Sequence, residues 1–148
     1  MSNWLSKSTS SLKASQLLCD DFSNQSVHCA YYSCVQFIYH LMNTQMNETE
    51  EDLNEGITKQ NFENSLPLKK NGETVKLGTH VWLQKELYRS LRSKTKDFKM
   101  IQDITDSIGT ISEVRILADY TNEIILEPRA KGIVKKAESL IESLDKIY

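Results

Sequence analysis

The sequence predicts an all-α fold: an antiparallel up-and-down bundle of four or five helices, with a loop or small hairpin inserted at about 47–76. Three observations lead there. Apolar residues recur at spacings of three and four over most of the chain. Glycine and proline are scarce, five and two in 148 residues, which argues against an all-β fold with many tight turns. The patterned stretches are joined by short connections, as in a bundle. A chain of 148 residues has the usual size of one domain and can bury a real core, so 1–148 reads as a single domain.

The first helix is expected over residues 5 to 22, with Leu5, Leu12, Leu17, Leu18 and Phe22 as its apolar members. The Ser/Thr run at 8 to 11 weakens its start, because those side chains compete for backbone hydrogen bonds. Asn24 or Ser26 suits the cap of a second helix. There Val27, Ala30, Tyr31, Cys34, Phe37, Ile38, Leu41 and Met42 form a wide stripe, which places this helix at the centre of the core.

From about Asn47 to Lys76 the character changes. Glu48, Glu50, Glu51 and Asp52 form an acidic run, read as a solvated loop or the first turn of a short helix. Asn71-Gly72 sits between two short alternating arms, the strongest short-range signal for a hairpin turn. Helical pattern returns after Gly78, with Thr79 as cap and Val81, Leu83, Leu87, Tyr88 and Leu91 following. A further helix runs from about Lys96 to Asn122 on Ile101, Ile104, Ile108, Ile111, Arg115 and Ala118. Gly109 inside it costs up to about 1 kcal/mol relative to alanine and suggests a kink or a close helix approach. Pro128 suits the first turn of a last helix, whose buried face is Ile133, Ala137, Leu140, Ile141, Leu144 and Tyr148.

Composition narrows the function classes. A net charge of −2 gives no global basic field for nucleic acid. No apolar run approaches the ~20 residues needed to cross a bilayer, and Met1 to Leu5 lacks the basic and apolar regions of a signal peptide, so a cytoplasmic protein is expected. Cys19, Cys29 and Cys34 lack the spacing of a zinc site and read as free thiols; no metal is expected.

Arg115 is the anomaly, a guanidinium among isoleucines. A buried arginine needs a carboxylate or several acceptors. Asp119 at i+4 and Glu123 at i+8 share its face. One reading is an ion pair within the chain or across a dimer interface. The other is an arginine held for phosphate, which its planar fork suits. Tyr31 lies on the second helix's stripe and reads as core, whereas Tyr32 lies off it and is the better candidate for contact with a base. Lys85, Arg89, Arg92, Lys94, Lys96 and Lys99 form the densest positive run, with Lys85, Arg89 and Arg92 on one helical face. That face is either solvated or the place where RNA or an acidic partner docks.

Three features together resemble the HEPN (higher eukaryotes and prokaryotes nucleotide-binding) domain family. The helix Ser26 to Met42, with Ala30-Tyr31-Tyr32-Ser33, is similar to the family's Ala-x-Tyr-Tyr-Ala helix. Gly78-Thr79-His80 resembles its small-residue-then-His helix start. Arg115-x-x-Ala118-Asp119-Tyr120, followed by a closing amphipathic helix, resembles its Arg-x-x-Ala-Asp-Tyr motif. The resemblance covers most of the chain outside the insertion.

The resemblance implies a helical bundle that often dimerises, and a role in RNA cleavage or nucleotide-linked defence, with no cofactor. Many members are ribonucleases in which an arginine and a histidine four to six residues on act together. Here no histidine follows residue 80, so the family's histidine is missing. The expectation is therefore a module that binds RNA, a nucleotide or a partner protein without turnover, in a toxin–antitoxin or defence setting. A nucleotidyltransferase is one such partner. The alternative is a divergent metal-independent endoribonuclease using Arg115 with Asp119, Tyr120 or His80. A helical dimer with a purely structural arginine is the third reading.

Overall fold

The computed structural model describes residues 3–46, 51, 68–70, 73–75 and 81–148. Among them, five helices and one two-stranded hairpin follow in order: α1 (Trp4–Leu18), α2 (Ser23–Gln45), β1 (Leu68–Lys70), β2 (Glu73–Val75), α3 (Val81–Lys94), α4 (Phe98–Tyr120) and α5 (Glu127–Ile147). The all-α bundle is as the periodicity predicts. The hairpin falls where Asn-Gly predicts it: Leu68 pairs with Val75 and Lys70 with Glu73, leaving Asn71 and Gly72 between the strands. Thr79 and most of the acidic run, Glu48, Glu50 and Asp52, lie outside the described residues.

α2 is the central helix and contacts α1, α3, α4 and α5. Its wide apolar stripe explains this, since Val27, Ala30, Cys34, Ile38 and Met42 are fully buried. Ile104, Ile108 and Ile111 of α4, Leu83, Leu87 and Leu91 of α3, and Ala137 and Leu144 of α5 complete one core. Cross-contacts show α2 antiparallel to both α1 and α4, with Ser33 against Ser8, Ser26 against Ser15, Tyr32 beside Arg115 and His28 beside Asp119.

α1 departs from the sequence reading. It ends at Leu18 rather than 22, and Leu5, Leu17 and Phe22 are exposed. Its buried positions are Ser8 and Ser15. Small residues let the two backbones come close, and each hydroxyl at the seam finds a carbonyl. Ser8 Oγ donates to Ser33 O at 2.8 Å, Ser26 Oγ to Ser15 O at 2.6 Å, and Ser15 Oγ to Leu12 O at 2.6 Å. A buried hydroxyl with a partner is tolerated, and without one it is costly.

Neither Asn24 nor Ser26 caps α2, which begins at Ser23 with Phe22 at the cap position and no capping side chain. Ser26 is spent on the seam. Asn24 clamps the α4–α5 connection: Nδ2 donates to Ala118 O at 3.2 Å and Glu123 O at 3.0 Å, and Oδ1 accepts from Ile125 N at 2.9 Å. α4 begins at Phe98 because Asp97 Oδ1 accepts from Met100 N. It runs unbroken through Gly109, where an added Cβ would meet nothing within 4 Å, so among the described residues no helix approaches closely there. Pro128 sits in the first turn of α5, as expected.

Candidate functional site

Antiparallel packing of α2 on α4 brings the two tyrosines of α2 to the arginine of α4. Tyr31 is buried and Tyr32 half-buried at the α2–α4 contact, and one turn on toward the start of α2 is His28. On α4, Arg115, Asp119 and Tyr120 occupy the last turns of the helix. The result is an arginine, 9% exposed, whose guanidinium lies among three phenol rings. Its carbon lies 5.0 Å from the Tyr31 ring centre, 5.5 Å from Tyr32 and 5.0 Å from Tyr120. Such contacts attract a cation to the ring face, more so when water is excluded.

Its polar partners are equally specific. Nη2 donates to Tyr32 OH and Tyr120 OH, both at 3.1 Å. Nε lies 2.8 Å from Asp119 Oδ2, a contact of charge only, because the N–H is not aligned with the oxygen and Nε is left buried without a hydrogen bond. Burial opposes the charge on Arg115. The surrounding tyrosines and Asp119 favour it, and the net effect holds its pKa above the ordinary guanidinium value. The cation is thus permanent.

Asp119 serves two partners through one oxygen. Oδ2 lies 2.8 Å from Arg115 Nε and 2.8 Å from His28 Nδ1. A carboxylate only accepts, so His28 Nδ1 donates in this contact. The His28 side chain is 46% exposed and its ring leans on Tyr32, 4.7 Å between centres. Cys29 is next to this pair. Burial, then the charge of Asp119, pushes its thiol pKa up, which makes it a poor nucleophile. Burial raises the Tyr31 phenol to about 12, so it stays neutral.

Four of the residues singled out in the sequence, Tyr32, Arg115, Asp119 and Tyr120, therefore meet at one end of the bundle. Tyr31 is core, as its place on the stripe predicts, and is also a wall of the cage. His80 lies outside the described residues. Glu123 is no partner of Arg115: α4 ends at Tyr120, and Glu123 instead lies 3.9 Å from Arg129. Lys85, Arg89 and Arg92 are elsewhere. They line a groove whose α4 wall is Thr105, ten residues before Arg115 and so roughly 15 Å away along the helix.

His28 is the member that sequence reasoning missed. The available signal was its i, i+4 spacing to Tyr32, which puts both on one face of α2. Among the described residues no three His, Cys, Asp or Glu side chains gather closely enough to hold a metal ion, and no helix is long and apolar enough to cross a membrane. Compared with known proteins, the chain matches no family model, no curated protein and no solved structure.

Proposed function

We propose that this chain is a HEPN-like module that binds RNA or a nucleotide at the end of the bundle built around Arg115, without turning it over. One observation carries the reading: Arg115 is a fixed cation at the end of the bundle, held through Nη2 by two phenol oxygens and at Nε by the charge of Asp119. What the site offers outward is Tyr120, 69% exposed, and the half-exposed imidazole of His28. Arginine has no acceptor, so Tyr120 OH accepts from it and keeps its own proton to donate. A donor polarised by an adjacent cation suits a phosphate oxygen, and the exposed ring suits a base.

The resemblance adds a setting, a toxin–antitoxin or defence system in the cytoplasm, and two partners. One is a nucleotidyltransferase. The other is a second copy of the chain, for which exposed Ile116, Ile124 and Leu126 around Tyr120 offer apolar surface. The three free cysteines suit a reducing compartment.

A second reading is favoured by the His28–Asp119 contact. It supplies, from another helix, a histidine oriented by a carboxylate beside an arginine. That set can abstract a ribose 2′-hydroxyl proton and stabilise phosphorane charge without a metal. One experiment separates the two. The parent, His28→Ala and Tyr120→Ala, each shown to be folded, are incubated with mixed RNA in EDTA, and nucleotide and RNA binding is measured by calorimetry. Binding by the parent, weakened in both variants and with no cleavage, supports the module. Cleavage by the parent that His28→Ala abolishes establishes the ribonuclease and overturns it.

A further inference from the structure

We propose that the groove between α3 and α4 is a docking track for single-stranded nucleic acid, separate from the Arg115 site. The proposal rests on the reading of the chain as an RNA- or nucleotide-binding module and names where a strand runs on it.

The groove follows from the way α3 divides its faces. Leu83, Leu87 and Leu91 are buried in the core. Beside them Val81, Lys85, Tyr88 and Arg92, at spacings of four, three and four, form a second face that does not enter the core. Thr105 of α4 forms the opposite wall, and the groove encloses about 650 Å³. Sites for small ligands span roughly 300–1,000 Å³, so there is room for a base with its sugar and phosphate.

Charge identifies the occupant. The described lining holds three cations, Lys85, Arg89 and Arg92, and no carboxylate. Arg89 is partly committed, with Nη1 2.8 Å from Glu86 Oε1. Lys85 and Arg92 form no ion pair among the described residues. Residues 81–99 carry six Lys or Arg against Glu86 and Asp97, in a chain whose net charge is −2. Three of the six, Lys85, Arg89 and Arg92, line the groove, and a local excess of positive charge steers a polyanion toward it.

Aromatic geometry decides between single strand and duplex. Tyr88 is 44% exposed, and the Arg92 guanidinium lies 5.9 Å from its ring centre. An exposed ring beside a cation holds an unstacked base and the phosphate next to it together. A duplex keeps its bases stacked on one another, so it has no free base face to lay on the ring.

The test is fluorescence anisotropy of the whole chain with a labelled oligouridylate, its deoxy counterpart and an RNA duplex of equal length, in EDTA over a salt series. The single strands should bind better than the duplex. Replacing Lys85→Ala and Arg92→Ala together should weaken strand binding by about tenfold or more and flatten the salt slope by about 1.4, some 0.7 for each cation. Tyr88→Ala should weaken binding about tenfold with the slope unchanged, and Tyr88→Phe should bind as the parent does. These side chains are exposed, so unchanged circular dichroism and melting are expected. The proposal is overturned if the parent binds no single strand, if it prefers duplex, or if the α3 alanine variants bind as the parent does. Loss of binding in Tyr120→Ala alone overturns the groove and leaves the Arg115 reading standing. Loss in the α3 variants alone does the reverse.

Discussion

Asn24 connects the start of α2 to the segment that closes the candidate site, and its replacement tests that connection. Its amide makes three hydrogen bonds across about a hundred residues of sequence, two donated to Ala118 O and Glu123 O and one accepted from Ile125 N. A typical net contribution is about 0.5–1.5 kcal/mol per bond. The bonds to Ala118 and Ile125 are half-buried and the one to Glu123 is exposed, which favours the lower half of that range for the last. Asn24→Ala should therefore cost about 2–3 kcal/mol. For a chain of this length that lowers the melting temperature by about 5–10 °C. The loss should be local as well as global. Ile125 is buried and its amide is held by Asn24 Oδ1, so hydrogen exchange at that amide should accelerate more than at Ile108 in the middle of α4. Asn24→Asp should be no better than alanine, because a carboxylate keeps the acceptor for Ile125 but faces two carbonyl oxygens. Urea unfolding and exchange mass spectrometry measure both effects. A cost under about 0.5 kcal/mol with Ile125 exchange unchanged would refute the clamp.

Gly109→Ala and Gly132→Ala should each stabilise the protein by about 0.5–1 kcal/mol, since both lie in helices and a new Cβ meets nothing within 4 Å; equilibrium unfolding checks this. Stability should fall as pH rises from about 9 to 12. Burial lifts the Cys34 thiol from 9.0 and the Tyr31 phenol from 10.0 to about 12, so the unfolded chain releases these protons first and is favoured there. Cys34→Ala should flatten the lower part of that decline in urea titrations at stepped pH, and an unchanged profile would count against the burial argument. Alkylation at pH 8, followed by mass spectrometry, should modify Cys19 before Cys29 and leave Cys34 unmodified until the chain unfolds. Ser15→Leu should cost about 1–3 kcal/mol by overpacking the α1–α2 seam, whereas Leu17→Ser, at a position 75% exposed, should stay within about 0.5 kcal/mol; reversed costs in paired melting curves would sink the account of α1.

What periodicity could reveal was α2, α3, α4 and α5, where isoleucine, leucine and valine mark the buried face directly. α1 was legible as a helix but not as an orientation. Its leucines at 5 and 17 point away from the core, and the face that packs is marked by serines, which a hydropathy pattern scores as polar. Only the partner helix explains them: α2 presents Ser26 and Ser33 opposite, and serine meets serine where backbones approach. The capping signal at Asn24 failed for a related reason. An asparagine near a helix start satisfies local and distant amides equally well, and the residues it binds lie near 120, which no local window contains. The candidate site was half legible. Arg115 stood out because a charge on an apolar stripe violates the pattern, and Asp119 because i+4 is a helical neighbour. His28 did not, since a histidine one position from an apolar stripe violates nothing. Its meaning arises only when antiparallel packing lays residue 28 against residue 119, a juxtaposition across ninety-one residues. The absence of a histidine after Arg115 therefore weakens the case for catalysis less than the one-dimensional motif implies. A helix bundle can supply from one helix what the motif lacks on another, and whether it does here turns on His28→Ala in the RNA assay rather than on spacing.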